Sequence, residues 1–319
     1  MRPLPQPQMK PWAYSKPTTP ILLSSSVSLL QGRSGTPDVA ALSNVFREPL
    51  IIDEVRFAIY NPDPLNSGDL SGTTTCRFRM GRVELSPKDI PISLYGTSMQ
   101  QYSIESSSVI DNPDTVVTYR HWKLPVPLFI PAGSTLVPTF RRAQHPTSTT
   151  AVTYQIAYAG RYVNPSEPLP PRIQVPYVNA FYPNLDQFYA AGAPTGEVVY
   201  STGELDLANL LDVPVRVQRF VGRMYQYQSP GTSELADVGA NGGFVGPYFV
   251  EMKDSYGRDV VKDPTTFSTV FEIERRNWTY SKILGPRERY LMKIYNTALP
   301  LVPQMPMVSI VGWREEVFK

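Results

Sequence analysis

The side chains that most often carry out catalysis are scarce in this chain. It holds two histidines, His121 and His145, and one cysteine, Cys76. His121 stands at the start of a predicted strand and His145 in a polar stretch before a proline, so we interpret both as structural or surface residues. Cys76 lies in an alternating strand pattern, and free cysteines are among the most often buried residues. We therefore expect Cys76 in a core rather than in a reactive site.

The spacings that mark catalytic and metal sites are missing as well. H-E-x-x-H, C-x-x-C and the nucleophile elbow G-x-S-x-G do not occur in the sequence. A Ser-His-Asp triad stays open, because its members need not be close in sequence. Carboxylates such as Asp63 and Asp114 stand in turn-like stretches, where turn formation explains them. We therefore predict that the chain is not an enzyme and has no catalytic residue, cofactor or metal. A glycan-processing enzyme on a β-sandwich stays open as the third interpretation.

A glycine-rich stretch at residues 229–247 is the remaining candidate for a ligand loop. It lacks the Lys-Ser/Thr pair of a phosphate-binding loop and does not open a helix. Long loops tend to bind or contact partners. We therefore predict that Gly242, Gly243 and Phe244 contact another subunit.

Basic side chains do not add up to a nucleic-acid site. Arg77 and Arg79 alternate with Phe78 on a predicted strand, a pattern that single-stranded nucleic acid can use. The formal net charge is only +2, which favours solvated faces or salt bridges between subunits. We expect neither a specific nucleic-acid ligand nor a small-molecule ligand.

The composition indicates a surface that neighbouring subunits cover. Of 319 residues, 42% are hydrophobic and 18% are charged, whereas about a quarter is usual for charged residues. The 33 prolines and 19 tyrosines favour turns, edge strands and contact surfaces. No run approaches the roughly 18–20 apolar residues of a membrane span, and residues 1–20 lack the apolar core of a signal peptide. We expect no membrane association. We expect the protein to be made in a host cytoplasm.

Most of the chain shows the alternation of half-buried β-strands. Clean examples are residues 50–60, 76–80 and 152–158, each followed by turn residues. Gly81 shifts the phase of the pattern, which suggests a bulge. The best helix candidate, residues 201–211, has poor apolar spacing. Short strands at regular intervals predict an all-β sandwich or barrel.

The two halves of the chain resemble each other. Residues 44–52 align with residues 209–217, and further similarities follow in the same order. Together they predict a duplicated unit of about 150 residues, in which the last strand ends at a glycine that forms a bulge or a close approach. The aligned pairs are Pro49 with Pro214, Trp122 with Trp278, Pro131 with Pro286, Leu136 with Leu291, and Gly160 with Gly312. We expect the two tryptophans in equivalent core positions.

Proline-rich segments separate the predicted units. Residues 1–20 contain six prolines and predict an extended arm. Residues 164–175 predict a stiff linker, which places a first β-sandwich at residues 21–163 and a second at residues 176–319. A disordered tail is the alternative for this segment. An ordered arm has to lie on something, and a neighbouring subunit is the surface we expect. The arm residues that we expect to contact another subunit are Pro3, Pro5, Pro7, Pro11, Trp12 and Tyr14.

Two sandwiches in tandem, joined by a short rigid linker, resemble the double jelly-roll and related tandem jelly-roll proteins of virus capsids. The resemblance covers residues from about 21 to 319 and rests on duplication, spacing and strand pattern. It implies two jelly-roll-like antiparallel sandwiches, trimers or larger assemblies, N-terminal arms and no catalysis. The chain departs from these proteins because its loops show no clear helix signal, which leaves open a tail, neck or head-decoration role.

The sequence therefore predicts a structural protein of a virus particle, with a bacteriophage as the expected virus. Its predicted partners are copies of itself and other virion proteins, and its predicted location is the virion. The alternative is a receptor- or carbohydrate-binding module of a tail, spike or decoration. Exposed aromatic clusters would favour that alternative, such as Trp12 with Tyr14, or Tyr177 with Phe181 and Tyr182.

Overall fold

Antiparallel strands make up most of the part of the chain that the structure describes. The helices among these residues are single turns: α1 (Val39–Leu42), α2 (Phe267–Val270) and two 3-10 helices, Leu70–Gly72 and Ile92–Tyr95. The computed structural model describes residues 20–44, 48–62, 70–95, 98–105, 114–144, 150–163, 172–186, 199–227, 235–237, 248–271, 277–296 and 304–317.

The strands divide between the two halves of the chain. Those of the first half are β1 (Pro20–Leu29), β2 (Ser34–Gly35), β3 (Leu50–Asn61), β4 (Thr74–Met80), β5 (Val83–Glu84), β6 (Ile90–Pro91), β7 (Ser98–Glu105), β8 (Asp114–Ile130), β9 (Val137–Arg142) and β10 (Val152–Tyr162). Those of the second half are β11 (Arg172–Phe181), β12 (Val199–Ser201), β13 (Val215–Tyr227), β14 (Leu235–Asp237), β15 (Tyr248–Asp254), β16 (Asp259–Thr266), β17 (Asn277–Leu284), β18 (Tyr290–Asn296) and β19 (Gln304–Val317).

Two sheets form the first sandwich. Sheet A has the order β1-β10-β3-β8-β7, and sheet B has the order β2-β9-β4-β5, with β6 beside β4. When the strands other than β6 and β7 are lettered B to I in chain order, sheet A reads B-I-D-G and sheet B reads C-H-E-F. This is the strand order of the eight-stranded jelly roll.

The second sandwich repeats this order. Sheet C contains β11-β19-β13, with β14 and β17 both paired to β13, and sheet D has the order β12-β18-β15-β16. Lettered in the same way without β14, sheet C reads B-I-D-G and sheet D reads C-H-E-F. The chain is therefore two tandem jelly-roll sandwiches, which confirms the predicted fold class.

The core of each sandwich follows from the strand alternation. Every second side chain between residues 152 and 158 of β10 is buried, as the sequence pattern predicted. Between sheets A and B, the ring centroid of Trp122 lies 4.5 Å from that of Tyr95 and 5.7 Å from that of Phe78. In the second sandwich Phe220 and Tyr290 meet edge to face at 5.1 Å. Such aromatic pairs hold the two sheets of a sandwich together.

Several local predictions were wrong. Gly81 is part of a turn with φ +60° rather than a bulge, because Met80 pairs directly with Val83 across a hairpin. Residues 201–211, the best helix candidate, contain the last residue of β12, turns and a single bridge instead of a helix. β11 begins at Arg172, so residues 172–175 of the predicted linker are paired strand, whereas residues 164–171 lie outside the described residues.

Asn44 and Asn209 form the same clasp before strand D of each sandwich. Both are buried, and each side-chain amide donates to three carbonyl oxygens. The acceptors of Asn44 are Glu48 (3.1 Å), Ile130 (3.5 Å) and Pro131 (3.3 Å). The acceptors of Asn209 are Val213 (2.8 Å), Leu284 (3.1 Å) and Gly285 (3.1 Å). The clasp makes Pro131 equivalent to Gly285, so Pro131 and Pro286 stand one position apart in the repeat.

The aligned glycines lie at a bulge in both sandwiches. β10 shifts register against β3 at Gly160, and β19 shifts against β13 next to Gly312. A Cβ on Gly160 would lie 1.9 Å from the carbonyl oxygen of Ile51, and one on Gly312 would lie 2.0 Å from that of Arg216. The backbones thus approach so closely that glycine is required. Both strands continue past their glycine instead of ending there.

Trp122 and Trp278 hold equivalent register positions. Trp122 pairs with Val55 of strand D in the first sandwich, and Trp278 pairs with Phe220 of strand D in the second. Both partners lie the same number of residues after the proline that precedes the strand, which is Pro49 or Pro214. The side chain of Trp122 is fully buried.

Candidate assembly surfaces

The residues that the sequence assigned to subunit contacts lie outside the described residues. They are Pro3, Pro5, Pro7, Pro11, Trp12, Tyr14, Gly242, Gly243 and Phe244. Candidate surfaces must therefore be found on the two sandwiches themselves.

His121 belongs to a small charged cluster on the outer face of sheet A. Its Nδ1 lies 3.0 Å from Glu54 Oε1, and Arg56 Nε donates to the same oxygen at 2.8 Å. Burial raises the pKa of Glu54, but the hydrogen bonds from Arg56 and His121 together hold it below its usual value. His121 is thus a surface residue, as predicted, and His145 lies outside the described residues.

Cys76 is fully buried in the first sandwich, as the sequence predicted. Burial raises the pKa of its thiol, which keeps it protonated at neutral pH. Within the described ranges, no three His, Cys, Asp or Glu side chains come together as a metal site requires. No helix in those ranges is long and apolar enough to cross a membrane.

The proposed aromatic contact cluster is not an exposed surface. Tyr177 and Phe181 are buried, and the Tyr177 hydroxyl donates to the carbonyl oxygen of Ala208 at 2.8 Å. Tyr182 is half-buried and donates to the carbonyl oxygen of Asp89 in the first sandwich at 2.6 Å. Tyr177 and Phe181 belong to the interior because β11 is covered on both faces, and Tyr182 packs against the core of the first sandwich. The three residues therefore give no support to a receptor-binding surface.

The two sandwiches meet at a contact that we call the seam. It joins the outer face of sheet C to β8 and to the 3-10 helices Leu70–Gly72 and Ile92–Tyr95. Donors of the second sandwich bond directly to backbone carbonyl oxygens of the first. These bonds run from Val178 N to Leu85 (3.0 Å), from Ser309 Oγ to Leu94 (2.5 Å) and from Arg314 Nη2 to Glu84 (2.8 Å).

Apolar side chains fill the seam. They form one continuous buried cluster with the core of the first sandwich: Ile173, Val175, Val178, Ala180, Val221, Tyr225, Met305, Met307 and Val311. Burying a large aliphatic side chain contributes roughly 1.5–3 kcal/mol relative to leaving it in water. The two sandwiches are therefore packed as one block rather than tethered by a linker.

A buried arginine links the first sandwich to a tyrosine in the seam. Arg120 is fully buried, and its Nε donates to Ser71 Oγ (2.9 Å) while an Nη donates to the Tyr225 hydroxyl (3.4 Å). Gly72 lies so close to Tyr225 that a Cβ would come within 2.4 Å of the ring. Removing a partner from a buried cation costs several kcal/mol, so this network fixes where the loop sits on sheet C.

The outer face of sheet A has the same strand lettering as the face of sheet C in the seam, yet no residue that the structure describes covers it. A groove of about 690 Å³ crosses it. Small side chains form its floor and larger ones stand around them. The floor consists of Ser24, Ala58 and Ala157, and the larger neighbours include Leu22, Arg56 and Tyr119.

The open face and the seam can be compared position by position. Leu22 pairs with the residue before Gly160, and Val178 pairs with the residue before Gly312. Leu22 and Val178 are thus equivalent in the two sandwiches. Val178 is 0% exposed inside the seam, whereas Leu22 is 58% exposed.

Two further pairs repeat this contrast. Ser309 is fully buried in the seam, and its equivalent Ala157 is a half-buried residue of the groove floor. Val221 is buried in the seam, and the side chain of its equivalent Arg56 is 47% exposed. The first sandwich therefore carries an open counterpart of the surface that the seam covers in the second.

Sequence reasoning missed the seam, although one signal for it is present. Residues 304–313 of β19 are apolar at nearly every position instead of alternating. A continuous apolar run is typical of a strand that is buried on both faces. It marks β19 as a central strand of a covered sheet, but it does not say what covers it.

The chain was compared with known proteins. No protein-family model matches it, and no curated protein matches it. One similar structure is a chain of the Sputnik virophage solved by cryo-EM, at 12% identity and a TM-score of 0.40, covering 98% of this chain and 89% of that one. Another is the mavirus major capsid protein, at 8% identity and a TM-score of 0.40, covering 98% of this chain and 93% of that one. The jelly-roll assignment rests on the strand order of this chain.

Proposed function

We propose that this chain is a structural subunit of a virus particle that assembles with copies of itself into a capsid or a capsid-associated layer. The observation that carries the proposal is the fusion of two jelly rolls of identical strand order into one block by a buried seam. Because the block consists of two similar sandwiches, copies of the chain can associate through contacts between sandwiches, as the two sandwiches of one chain already do. The proposed role is structural and involves no catalysis.

The finer parts of the proposal come from the sequence. The assembly is a trimer or larger, and its other partners are virion proteins. The part of the predicted arm (residues 1–20) that precedes β1, and the loop around Gly242 to Phe244, make subunit contacts. That the virus is a bacteriophage, and that the protein is made in the host cytoplasm, stay predictions.

Light scattering of the purified chain, with and without residues 1–19, tests the proposal. The truncation leaves β1 complete, because that strand begins at Pro20. We expect the full chain to have three or more times its monomer mass of 35.8 kDa. The truncated chain should have a lower mass at the same concentration and an unchanged melting temperature.

A monomer mass for both forms at all concentrations, which is 35.8 kDa for the full chain, would contradict self-assembly. A glycan array would then test the receptor- or carbohydrate-binding alternative. An assembly that is unchanged by the truncation would remove the arm from the proposal and leave assembly through the sandwiches.

A further inference from the structure

A pocket of about 460 Å³ lies between the two sandwiches of one chain, next to the seam. The first sandwich contributes residues of the hairpin that follows β4. The second contributes residues of β11, of the stretch before β13 and of the end of β19. Sites for small molecules usually have volumes of about 300–1,000 Å³, so this pocket has the size of a ligand site.

Arg314 lines this pocket and has one nitrogen without a partner. Its side chain is only 2% exposed. Its Nε donates to Glu316 Oε1 at 2.6 Å, and its Nη2 donates to the carbonyl oxygen of Glu84 at 2.8 Å. Its Nη1 is buried and has no hydrogen-bond partner among the described residues. A buried donor without an acceptor is costly in free energy, and an oxygen of a ligand in the pocket would remove that cost.

The charges around the pocket favour a ligand with one negative charge. Glu84 and Glu316 line the pocket too, but each already accepts a hydrogen bond from an arginine, Arg77 (2.7 Å) or Arg314. Arg82 also lines the pocket, is exposed, and forms no ion pair with any residue that the structure describes. Three arginines and two carboxylates leave an excess of one positive charge. A doubly charged phosphate would be repelled by the two carboxylates.

Aliphatic side chains form the rest of the pocket wall. Val83 and Pro87 come from the first sandwich, Leu210 and Leu211 from the second, and all four are partly buried. The backbone N–H of Leu211 donates to the side-chain oxygen of Asn209 at 3.0 Å, so the clasp holds this wall in place. A wall that is already ordered lowers the cost of binding. The ligand that fits it has an apolar body beside its charge.

We infer that this pocket binds a small organic carboxylate with an apolar body. The carboxylate accepts a hydrogen bond from Arg314 Nη1 and pairs with the guanidinium of Arg82, which can offer two parallel N–H groups. The apolar body lies between the aliphatic walls. The ligand contacts both sandwiches of a single chain, so the inference does not depend on self-assembly. Sequence patterns did not predict this ligand, because Arg82 and Arg314 are far apart in the chain.

Calorimetric titration of the full chain with octanoate tests the inference. We expect one binding site per chain and a higher melting temperature in the presence of octanoate, because the pocket exists only in the folded protein. Acetate has the charge without the body, and 1-octanol has the body without the charge. Each should bind at least tenfold more weakly than octanoate, and inorganic phosphate should not compete with it.

A charge reversal at an exposed position shows whether the pocket is the site. Arg82→Glu should weaken the binding of octanoate at least tenfold while the melting temperature of the free protein stays unchanged. Arg33→Glu is the matched control, because Arg33 is another exposed arginine of the first sandwich and does not line the pocket. It should bind octanoate as the wild type does.

Photo-labelling with a diazirine analogue of octanoate locates the ligand. We expect the label within residues 82–87 or 210–211. Labelling of the groove on sheet A instead would overturn the inference, as would equal affinity of the wild type and Arg82→Glu. A folded chain that does not bind octanoate would overturn it as well. Octanoate binding by a chain that stays monomeric would support the inference and contradict only the proposed function.

Discussion

At the scale of single residues, Gly160 and Gly312 show how closely the two sandwiches repeat each other. Each lies at a bulge where the I strand pairs with the D strand. A Cβ placed on either glycine would lie about 2 Å from a backbone carbonyl oxygen of the D strand. The atom in the way is backbone in both cases, so it cannot rotate aside as a side chain would.

We expect Gly160→Ala and Gly312→Ala each to lower the free energy of unfolding by about 2–4 kcal/mol, because one strand must shift to admit the methyl group. Chemical denaturation measures this change. Gly285→Ala is the control, since its Cβ would be 3.4 Å from the flexible Glu288 side chain, and it should cost less than about 1 kcal/mol. Equal effects of all three substitutions would contradict the close approach.

Asp254 organises the turn between β15 and β16. Its side chain is 5% exposed and accepts hydrogen bonds from Arg258 Nε (2.9 Å) and Nη2 (2.7 Å) and from Lys282 Nζ (3.3 Å). The backbone N–H groups of Tyr256 and Arg258 donate to the same carboxylate. The hydrogen bonds from Arg258 are the main reason that the pKa of Asp254 is held well below its usual range.

The lowered pKa of Asp254 predicts an acid dependence. A carboxyl group whose pKa is lower in the folded than in the unfolded chain stabilises the fold above the unfolded value, near 4. That contribution is lost as the pH falls below about 4. Asp254→Asn should therefore weaken the fold at pH 6 and reduce its loss of stability between pH 4 and pH 2, measured by denaturation at each pH. Asp212→Asn, at an exposed side chain, controls for the missing charge; identical curves for wild type and Asp254→Asn would contradict this role.

Residue-level prediction from the sequence succeeded where the repeat is local and failed where a loop changes length. The alignment of Pro49 with Pro214 and of Gly160 with Gly312 agrees with the strand registers. Pro131 was aligned one residue away from its equivalent. The cause is an irregular stretch of β8, residues 124–127, whose counterpart in β17 is shorter. Sequence similarity alone does not locate such an insertion.

At the scale of elements, the seam decides how the two sandwiches behave together. The apolar cluster of the first sandwich continues without a break into the outer face of sheet C. The alternation of apolar and polar residues predicted the individual strands well, because this pattern can be recognised within the sequence of each strand. It did not predict the seam, because the contacts between Ser71 or Ser93 and sheet C join residues far apart in the chain.

The shared cluster predicts that the sandwiches unfold together. Differential scanning calorimetry of the full chain should show a single transition rather than two. Gly72→Ala places a methyl group against the Tyr225 ring, and we expect it to lower the melting temperature through a loss of about 1–3 kcal/mol. Gly203→Ala, whose Cβ would approach only the carboxylate of Asp206, is the control. Two separate transitions in the wild-type protein would contradict the seam as a structural unit.

At the scale of the whole molecule, the two sandwiches repeat one strand order but differ in how their outer faces are covered. The first sandwich covers the outer face of sheet C, whereas no described residue covers the groove on sheet A. Leu22, Arg56 and Ala157 are open where Val178, Val221 and Ser309 are buried. The sequence predicted assembly from composition and duplication, but the surfaces become visible only when equivalent positions are compared in three dimensions.

Electron microscopy of the purified full-length protein tests this account most directly. We predict particles of three or more copies, in which every copy contributes two lobes of similar size. Single two-lobed particles at all concentrations would contradict the account.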